Sequence, residues 1–276
     1  MCRIIFSLNQ SNIESKITHF LLQSTNVPNA LDGYGFAALD LTKHKWKIKK
    51  TPKPAPHDQS LREEIANTFA DYPLVIGHLR NAQIIDTPQS TIDNVLMASL
   101  HNTHPFYHSN KMFIHNGKLD DAYLPSMRQW FQENILPEYW THIKGNTDSE
   151  CLFYLLLSII KKRECIHKDN DMDEKYEELR DAVKECFDLL HSKFSAYIAN
   201  FVYADKEYSV VGHLKKNVDL RGKRVNTLYI ANQSKKNELL FATEPLDKTQ
   251  KYELVDWGCI YVVHNGSAEY RKYNLY

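Results

Sequence analysis

The sequence predicts an α+β protein in which two β-sheets pack together and helices cover the outside. Three observations carry this expectation. Short β-branched or aromatic segments bounded by turn residues fall into two sets, one ending near His115 and one beginning near Ala196. Between them lies the strongest helical pattern in the chain, Thr147–Lys162, followed by a charged helix over Glu174–Leu190. No linker composition, repeat or low-complexity tract separates the two sets, so residues 1–276 are expected to form one domain.

Arg3–Leu8 reads as a strand, and Ile13–Gln23 as a helix opened by Ser11 or Asn12, residue types that cap helix N-termini. Gly35–Leu39 and Trp46–Ile48 read as a strand pair. The Pro-rich loop Thr51-Pro-Lys-Pro-Ala-Pro56 then leads to a helix around Leu61–Ala70. Leu74–Leu79 is an apolar strand ending at Arg80. A long polar segment, Asn81 to Ser109, precedes the strand Met112–His115.

In the central helix Leu152, Leu155, Leu156, Ile159 and Ile160 form a wide apolar stripe, and Thr147-x-x-Glu150 is a capping box at its start. The later strands are Ala196–Tyr203, Tyr208–His213, Thr227–Ile230, Leu239–Ala242 and Cys259–Val263.

With 34 basic residues against 34 acidic ones, mixed along the chain, the sequence gives no reason to expect a nucleic-acid or anionic-membrane partner. The opening segment is too short and polar-flanked for a signal peptide, and no apolar run reaches the roughly 18 residues of a membrane helix. The cysteines Cys2, Cys151, Cys165, Cys186 and Cys259 are scattered, odd in number and without a Cys-x-x-Cys pair. That pattern points to a reducing, cytoplasmic setting and away from disulfides or a thiolate zinc site.

Cys2 follows Met1 directly. Once Met1 is removed, the freed α-amino group sits on the same residue as the thiol, with a pKa of about 7.7–8.0 against about 8.5. It can take the thiol proton through one water, the general arrangement of a nucleophile paired with an N-terminal amine. The plain alternative is a small residue opening a strand.

Four further segments end a strand or start a helix with a definite polar group. Arg80, at the exit of Gly77-His-Leu-Arg80, is either a solvated strand end or a fork of donors for a carboxylate. Phe113-Ile-His-Asn-Gly-Lys118 contains Asn-Gly, first of all a hairpin signal. The sequence repeats His-Asn-Gly in Val262-Val-His-Asn-Gly-Ser267, where the flanking strands favour a plain turn. The earlier copy could instead offer the Asn116 amide and the Gly117 N–H as an oxyanion hole. In Gly145-Asn-Thr-Asp-Ser-Glu150, Asp148 either complements the helix dipole or presents a carboxylate to an ammonium group. Asp32-Gly-Tyr-Gly-Phe36 is a turn into a strand, or a Gly-flanked aromatic that admits close backbone approach.

His101, His104, His108 and His115 invite a metal reading, but carboxylate or thiolate ligands at matching spacing are missing and no metal is expected. A papain-type protease is not expected either, since Cys2 lacks that local signature.

In order, Met1-Cys2, Asp32-Gly-Tyr-Gly35, Gly77-His-Leu-Arg80, Asn102-Thr-His-Pro-Phe106, His115-Asn-Gly117 and Asn146-Thr-Asp-Ser-Glu150 resemble the class II glutamine amidotransferases of the N-terminal nucleophile hydrolase superfamily. The Asn-Thr-His-Pro-Phe element and Phe241-Ala-Thr-Glu-Pro-Leu246 resemble the small standalone branch. That branch includes YafJ-type proteins and the amidotransferase subunit of the fungal glutathione-degrading complex. The resemblance implies a four-layer αββα sandwich of two mainly antiparallel sheets.

It also implies roles. Cys2 would attack the γ-carbonyl of a γ-glutamyl group, with its own amine as base, and Asn116 and Gly117 would hold the oxyanion. Arg80 would grip the α-carboxylate and Asp148 the α-ammonium, while Gly33, Tyr34 and His104, inside two of the matching motifs, complete the substrate-binding set. A thioester would form and be hydrolysed, releasing glutamate, with no cofactor. A peptidase-like or synthase protein partner is compatible with this reading, as is a glutaminase subunit that delivers ammonia or a silent γ-glutamyl sensor. Two departures stand out. Tyr34 occupies a position where the family usually has Trp, which alters the pocket rather than the chemistry, and Gln83–Leu100 looks longer than in related bacterial proteins, as for a lid or partner surface.

Overall fold

The computed structural model describes residues 2–23, 33–54, 59–80, 99–120, 125–164, 171–218, 226–233 and 237–276. Met1, Asp32, Cys165 and most of the Gln83–Leu100 segment lie outside the described residues, so the expectations placed on them meet no structure here.

The described elements run β1 (Arg3–Leu8), α1 (Ile13–Leu22), β2 (Tyr34–Asp40), β3 (Lys45–Thr51), α2 (Gln59–Phe69) and β4 (Leu74–Leu79). After a single 3-10 turn come β5 (Phe106–His108), β6 (Lys111–Leu119), α3 (Pro125–Asn134), α4 (Pro137–Trp140), α5 (Asp148–Glu164) and α6 (Met172–Lys193). The chain ends with β7 (Tyr197–Ala204), β8 (Tyr208–Lys216), β9 (Tyr229–Gln233), β10 (Glu238–Ala242), β11 (Glu253–Leu254), β12 (Cys259–His264) and β13 (Tyr270–Asn274). One sheet has the order β11-β9-β10-β1-β4-β2-β3 and the other β13-β12-β8-β7-β6-β5. Every described pairing is antiparallel.

Three apolar clusters separate four layers. Ile13, Ile17 and Phe20 of α1 and Ile65 and Phe69 of α2 pack on Ile5, Phe36 and Val75, the outer face of the first sheet. Ile4, Phe6 and Leu8 of β1 face Met112, Ile114 and Val202 between the sheets. Helices α5 and α6 cover Phe113, Tyr197, Phe201 and Val210 on the outer face of the second. Alternation along each strand, period two, sends successive residues to opposite layers. The αββα sandwich expected from the sequence is the observed architecture.

Local differences have physical reasons. Helix α5 is buried along its whole first three turns, Asp148 to Ile160, because α6 covers the side that the sheet leaves open. The predicted apolar stripe is therefore only part of its buried surface. The capping box is half formed. Thr147 Oγ1 accepts from the Glu150 N–H at 3.2 Å, but the Glu150 carboxylate reaches further back, to the N–H groups of Lys144 (3.0 Å) and Gly145 (2.7 Å). Asn12 stands at the start of α1 in a left-handed conformation (φ 57°) without a side-chain cap. Helices α3 and α4 and strands β5 and β11 escaped the sequence reading, being short or weakly periodic.

Candidate active site

At one end of the sandwich the layer between the sheets changes from apolar to polar. Along β4 the inward residues run Leu74, Ile76, His78 and then Arg80; along β6, Met112, Ile114 and Asn116; along β7, Ala204, Val202 and Asn200. On β1 the inward series Leu8, Phe6, Ile4 leads by the same alternation to Cys2. Cys2, His78 and Arg80 of the first sheet and Asn116 and Asn200 of the second thus face the same inter-sheet layer. Cys2 is partly exposed, whereas the described thiols Cys151, Cys186 and Cys259 are buried and all four are free of disulfides. Burial pushes Cys151 up to about 12 and raises Cys186 and Cys259, so those thiols stay protonated and unreactive.

The Arg80 N–H donates to Gly33 O at 2.9 Å, carrying the β2–β4 ladder one step past the strand end and fixing the arginine's direction. Arg80 itself is buried. Gly33 has φ +123°, and a side chain there would meet Thr51 O and Pro52. Both features require glycine. Tyr34 does not join this end of the layer. Its ring lies in the cluster under α1 and α2, on the opposite face of the sheet.

His-Asn-Gly behaves differently in its two copies. Asn265 and Gly266 form the turn from β12 to β13, as the flanking strands predicted. Asn116 and Gly117 form no turn: they lie inside β6, opposite Asn200 and Ala199 of β7. The hairpin signal fails there because the strand runs on to Leu119 and is paired throughout. Asn116 is buried, and its Nδ2 has no hydrogen-bond partner among the described residues.

Asp148 opens α5. Its Oδ2 accepts from the Leu119 N–H at 2.9 Å and its Oδ1 from the Ser149 N–H at 2.7 Å. Ser149 Oγ bridges this carboxylate (3.2 Å) and His115 Nδ1 (2.9 Å). The carboxylate therefore anchors the helix start to the end of β6, and with roughly four lone-pair sites it retains capacity for a further donor.

His104 is held against this end by an extended strap. Lys50 Nζ donates to the carbonyls of Thr103 (2.8 Å) and Pro105 (3.2 Å), on either side of it. Asn102 and Asn146 exchange two hydrogen bonds, Asn102 Nδ2 to Asn146 Oδ1 (2.8 Å) and Asn146 N to Asn102 Oδ1 (3.0 Å). The His104 carbonyl lies where a side chain on Gly35 would sit. Its ring lies against that of His78, tilted by 34° with centroids 3.9 Å apart. Burial, with Arg80 and His115 beside it, pushes His78 down to about 3, and burial beside His78, His115, Arg80 and Lys50 holds His104 well below the usual imidazole range. Both rings are neutral at physiological pH. Burial lowers Lys50 to about 8, against the pull of Glu150. No group of three or more His, Cys, Asp or Glu that could hold a metal occurs among the described residues.

The sequence signature of the family Glutamine amidotransferases class-II matches residues 1–274. The chain belongs to that family. Among curated proteins, this class II glutamine amidotransferase is 29% identical over 163 residues to the probable glutamine amidotransferase DUG3 of Saccharomyces cerevisiae. That match covers 58% of this chain and 42% of the yeast protein. Among solved structures, a glutamine aminotransferase class-II domain protein from Silicibacter pomeroyi aligns over 100% of both chains at 15% identity and a TM-score of 0.60. Glutamine phosphoribosylpyrophosphate amidotransferase from B. subtilis aligns with all of this chain and 49% of its own, at 16% identity and 0.61. A predicted glutamine amidotransferase from Pseudomonas aeruginosa aligns over 96% and 93%, at 17% and 0.51. At these identities the likeness establishes the fold alone, the αββα sandwich that these amidotransferases share. Among the described residues no helix is long and apolar enough to cross a membrane.

The sequence reading missed His78, Lys50 and Asn200. A period-two count inward along β4 and β7 would have reached His78 and Asn200.

Proposed function

We propose that this amidotransferase domain, residues 1–276, hydrolyses the γ-amide bond of a γ-glutamyl compound such as glutamine, glutathione or a related conjugate. Cys2, freed of Met1, forms a γ-glutamyl thioester with its α-amine as base, and water then releases glutamate. Asn116 Nδ2 and the Gly117 N–H hold the oxyanion. Arg80 holds the α-carboxylate as a fork of donors, and Asp148 takes the α-ammonium. Gly33 and the neutral His104 shape the head-group side.

The observation that carries this reading is Asn116. A buried amide donor left without a partner costs about 1–3 kcal/mol. Here it stands in the same inter-sheet layer as the partly exposed Cys2, where a developing negative charge would use it. The family membership supports amide chemistry at a cysteine, and the relative's name supports amidotransferase-type substrates.

The test is glutamate release from a panel of γ-glutamyl amides by wild type and Cys2→Ala, with intact-mass analysis after a glutamine-analogue electrophile. Wild type should release glutamate from at least one of them and carry one label on an N-terminal cysteine, and Cys2→Ala should do neither. Release that survives Cys2→Ala would refute the mechanism. Release seen only with an added synthase would favour a subunit that hands on ammonia.

A further inference from the structure

Thr243 follows β10 within Phe241-Ala-Thr-Glu-Pro-Leu246. Its N–H donates to Ile4 O at 3.1 Å, extending the β1–β10 ladder, and its carbonyl accepts from Thr227 Oγ1 at 2.8 Å. The Thr227 segment is itself held. Asn200 Nδ2 donates to the carbonyls of Asn226 (2.8 Å) and Thr227 (3.3 Å). Asn200 Oδ1 lies 2.6 Å from His213 Nδ1, and the His213 ring stacks on Trp257 at 3.6 Å. Burial pushes His213 down to about 3, so the neutral ring donates through Nδ1 and orients the amide. A relay from β8 through β7 thereby fixes the Thr243 backbone.

The side chain has no such accounting. Leu239 and Phe241 point between the sheets, with Phe241 set edge-on to Phe6 at 6.0 Å, and alternation sends Thr243 the same way. It stands opposite Ile4 and one diagonal step from Cys2, on the same face of the extended β1–β10 ladder. Its Oγ1 is buried and, among the described residues, has no hydrogen-bond partner. A valine of the same shape would fill that space without a stranded hydroxyl.

We propose that Thr243 is a positioning residue for Cys2. Its hydroxyl accepts a hydrogen bond from the Cys2 α-amino group and turns that nitrogen's lone pair toward the thiol. This rests on Cys2 acting as the nucleophile. As the S–H bond breaks, its proton passes through a bridging water to the amine. The sulfur bonds to the γ-carbonyl carbon, and the carbonyl π electrons move to oxygen. When the adduct collapses the C–N bond breaks and the ammonium returns the proton to the leaving amine. Thr243 stays a neutral hydroxyl throughout, and its bond to the nitrogen strengthens while that nitrogen is charged.

Thr243→Val removes the hydroxyl at constant shape, Thr243→Ser keeps it, and Thr243→Ala removes it without adding a methyl group. Both hydroxyl-free variants should lose about 100-fold in kcat/KM for glutamate release. Thr243→Val should unfold at the wild-type denaturant concentration or higher. Loss of the bond to the ammonium form lowers the amine's pKa, so the rising limb of the pH–rate profile should move to lower pH. Thr243→Ser should restore rate and profile. Wild-type rate and profile in Thr243→Val, or joint loss of rate and stability that serine does not rescue, would overturn the proposal. An inactive, unlabelled wild type would instead count against the nucleophile itself.

Discussion

Asn116 and Asn200 lie directly opposite each other on β6 and β7, yet among the described residues only Asn200 donates its side-chain N–H groups to the protein. Asn200 is bonded to Asn226, Thr227 and His213, whereas Asn116 Nδ2 has no partner among the described residues. Two identical side chains on one rung therefore carry different loads.

Substitution should separate them. Asn116→Ala should leave the unfolding free energy within about 1 kcal/mol of wild type while lowering kcat about 100–1000-fold. Asn200→Ala breaks three hydrogen bonds and should cost about 2–4 kcal/mol. Denaturant titrations beside initial rates decide this, and a large stability loss in Asn116→Ala would remove the distinction.

Acid should destabilise the fold through the buried imidazoles. In the unfolded chain His78 titrates near 6.5 and in the folded protein at about 3, with His104 displaced the same way. The unfolded state binds more protons in this window. Stability is therefore complete above about pH 6.5 and is lost as pH falls, by about 1.4 kcal/mol per pH unit for each imidazole. His104→Phe should flatten the slope by about one proton's share, read from urea midpoints between about pH 7 and 4. An unchanged slope would mean that His104 is protonated in the folded protein.

Glu150 should prove structural. Its carboxylate accepts from two backbone N–H groups just before α5. Glu150→Ala should cost about 2–4 kcal/mol and Glu150→Gln, which keeps one acceptor oxygen, about half of that. A thermal or denaturant scan in which both variants match wild type would contradict this.

Gly35 should tolerate no side chain. A methyl group there runs into the His104 carbonyl and the Lys50 side chain. Gly35→Ala should cost about 1–3 kcal/mol by overpacking. It should also lower glutamate release, because the strap that carries His104 must move. Full activity at wild-type stability would show that the strap gives way without consequence.

Much of this architecture was legible in the sequence. Leu74–Leu79 is legible to the residue because an apolar run interrupted only by His78 is bounded by Pro73 and Arg80. The central helix and the later strands were placed within a few residues by their periods. Asn116 and Gly117 stand out in the sequence, but their local signal is that of a turn. Only the tertiary ladder with β7 keeps them extended. The resemblance places Tyr34 in the pocket, but the register of β2 sends its ring to the other face of the sheet. The relay through His213, Asn200 and Thr227 joins residues far apart in the chain, and no local window reports it. The Asn102–Asn146 clamp is equally non-local.

Core and chemistry share one count of residues along each strand. Cys2 reaches its layer only because it stands an even number of positions before Ile4, and Asn116 because it stands an even number beyond Ile114. Inserting or deleting a single residue between those points would rotate the reactive group to the helix side while leaving the apolar rows in place. A two-residue change would keep the facing and slide the group along the layer by about 7 Å. Length variation near the strand ends is thus restricted by parity, and productive change at this end of the protein must come by replacing side chains within the existing rows.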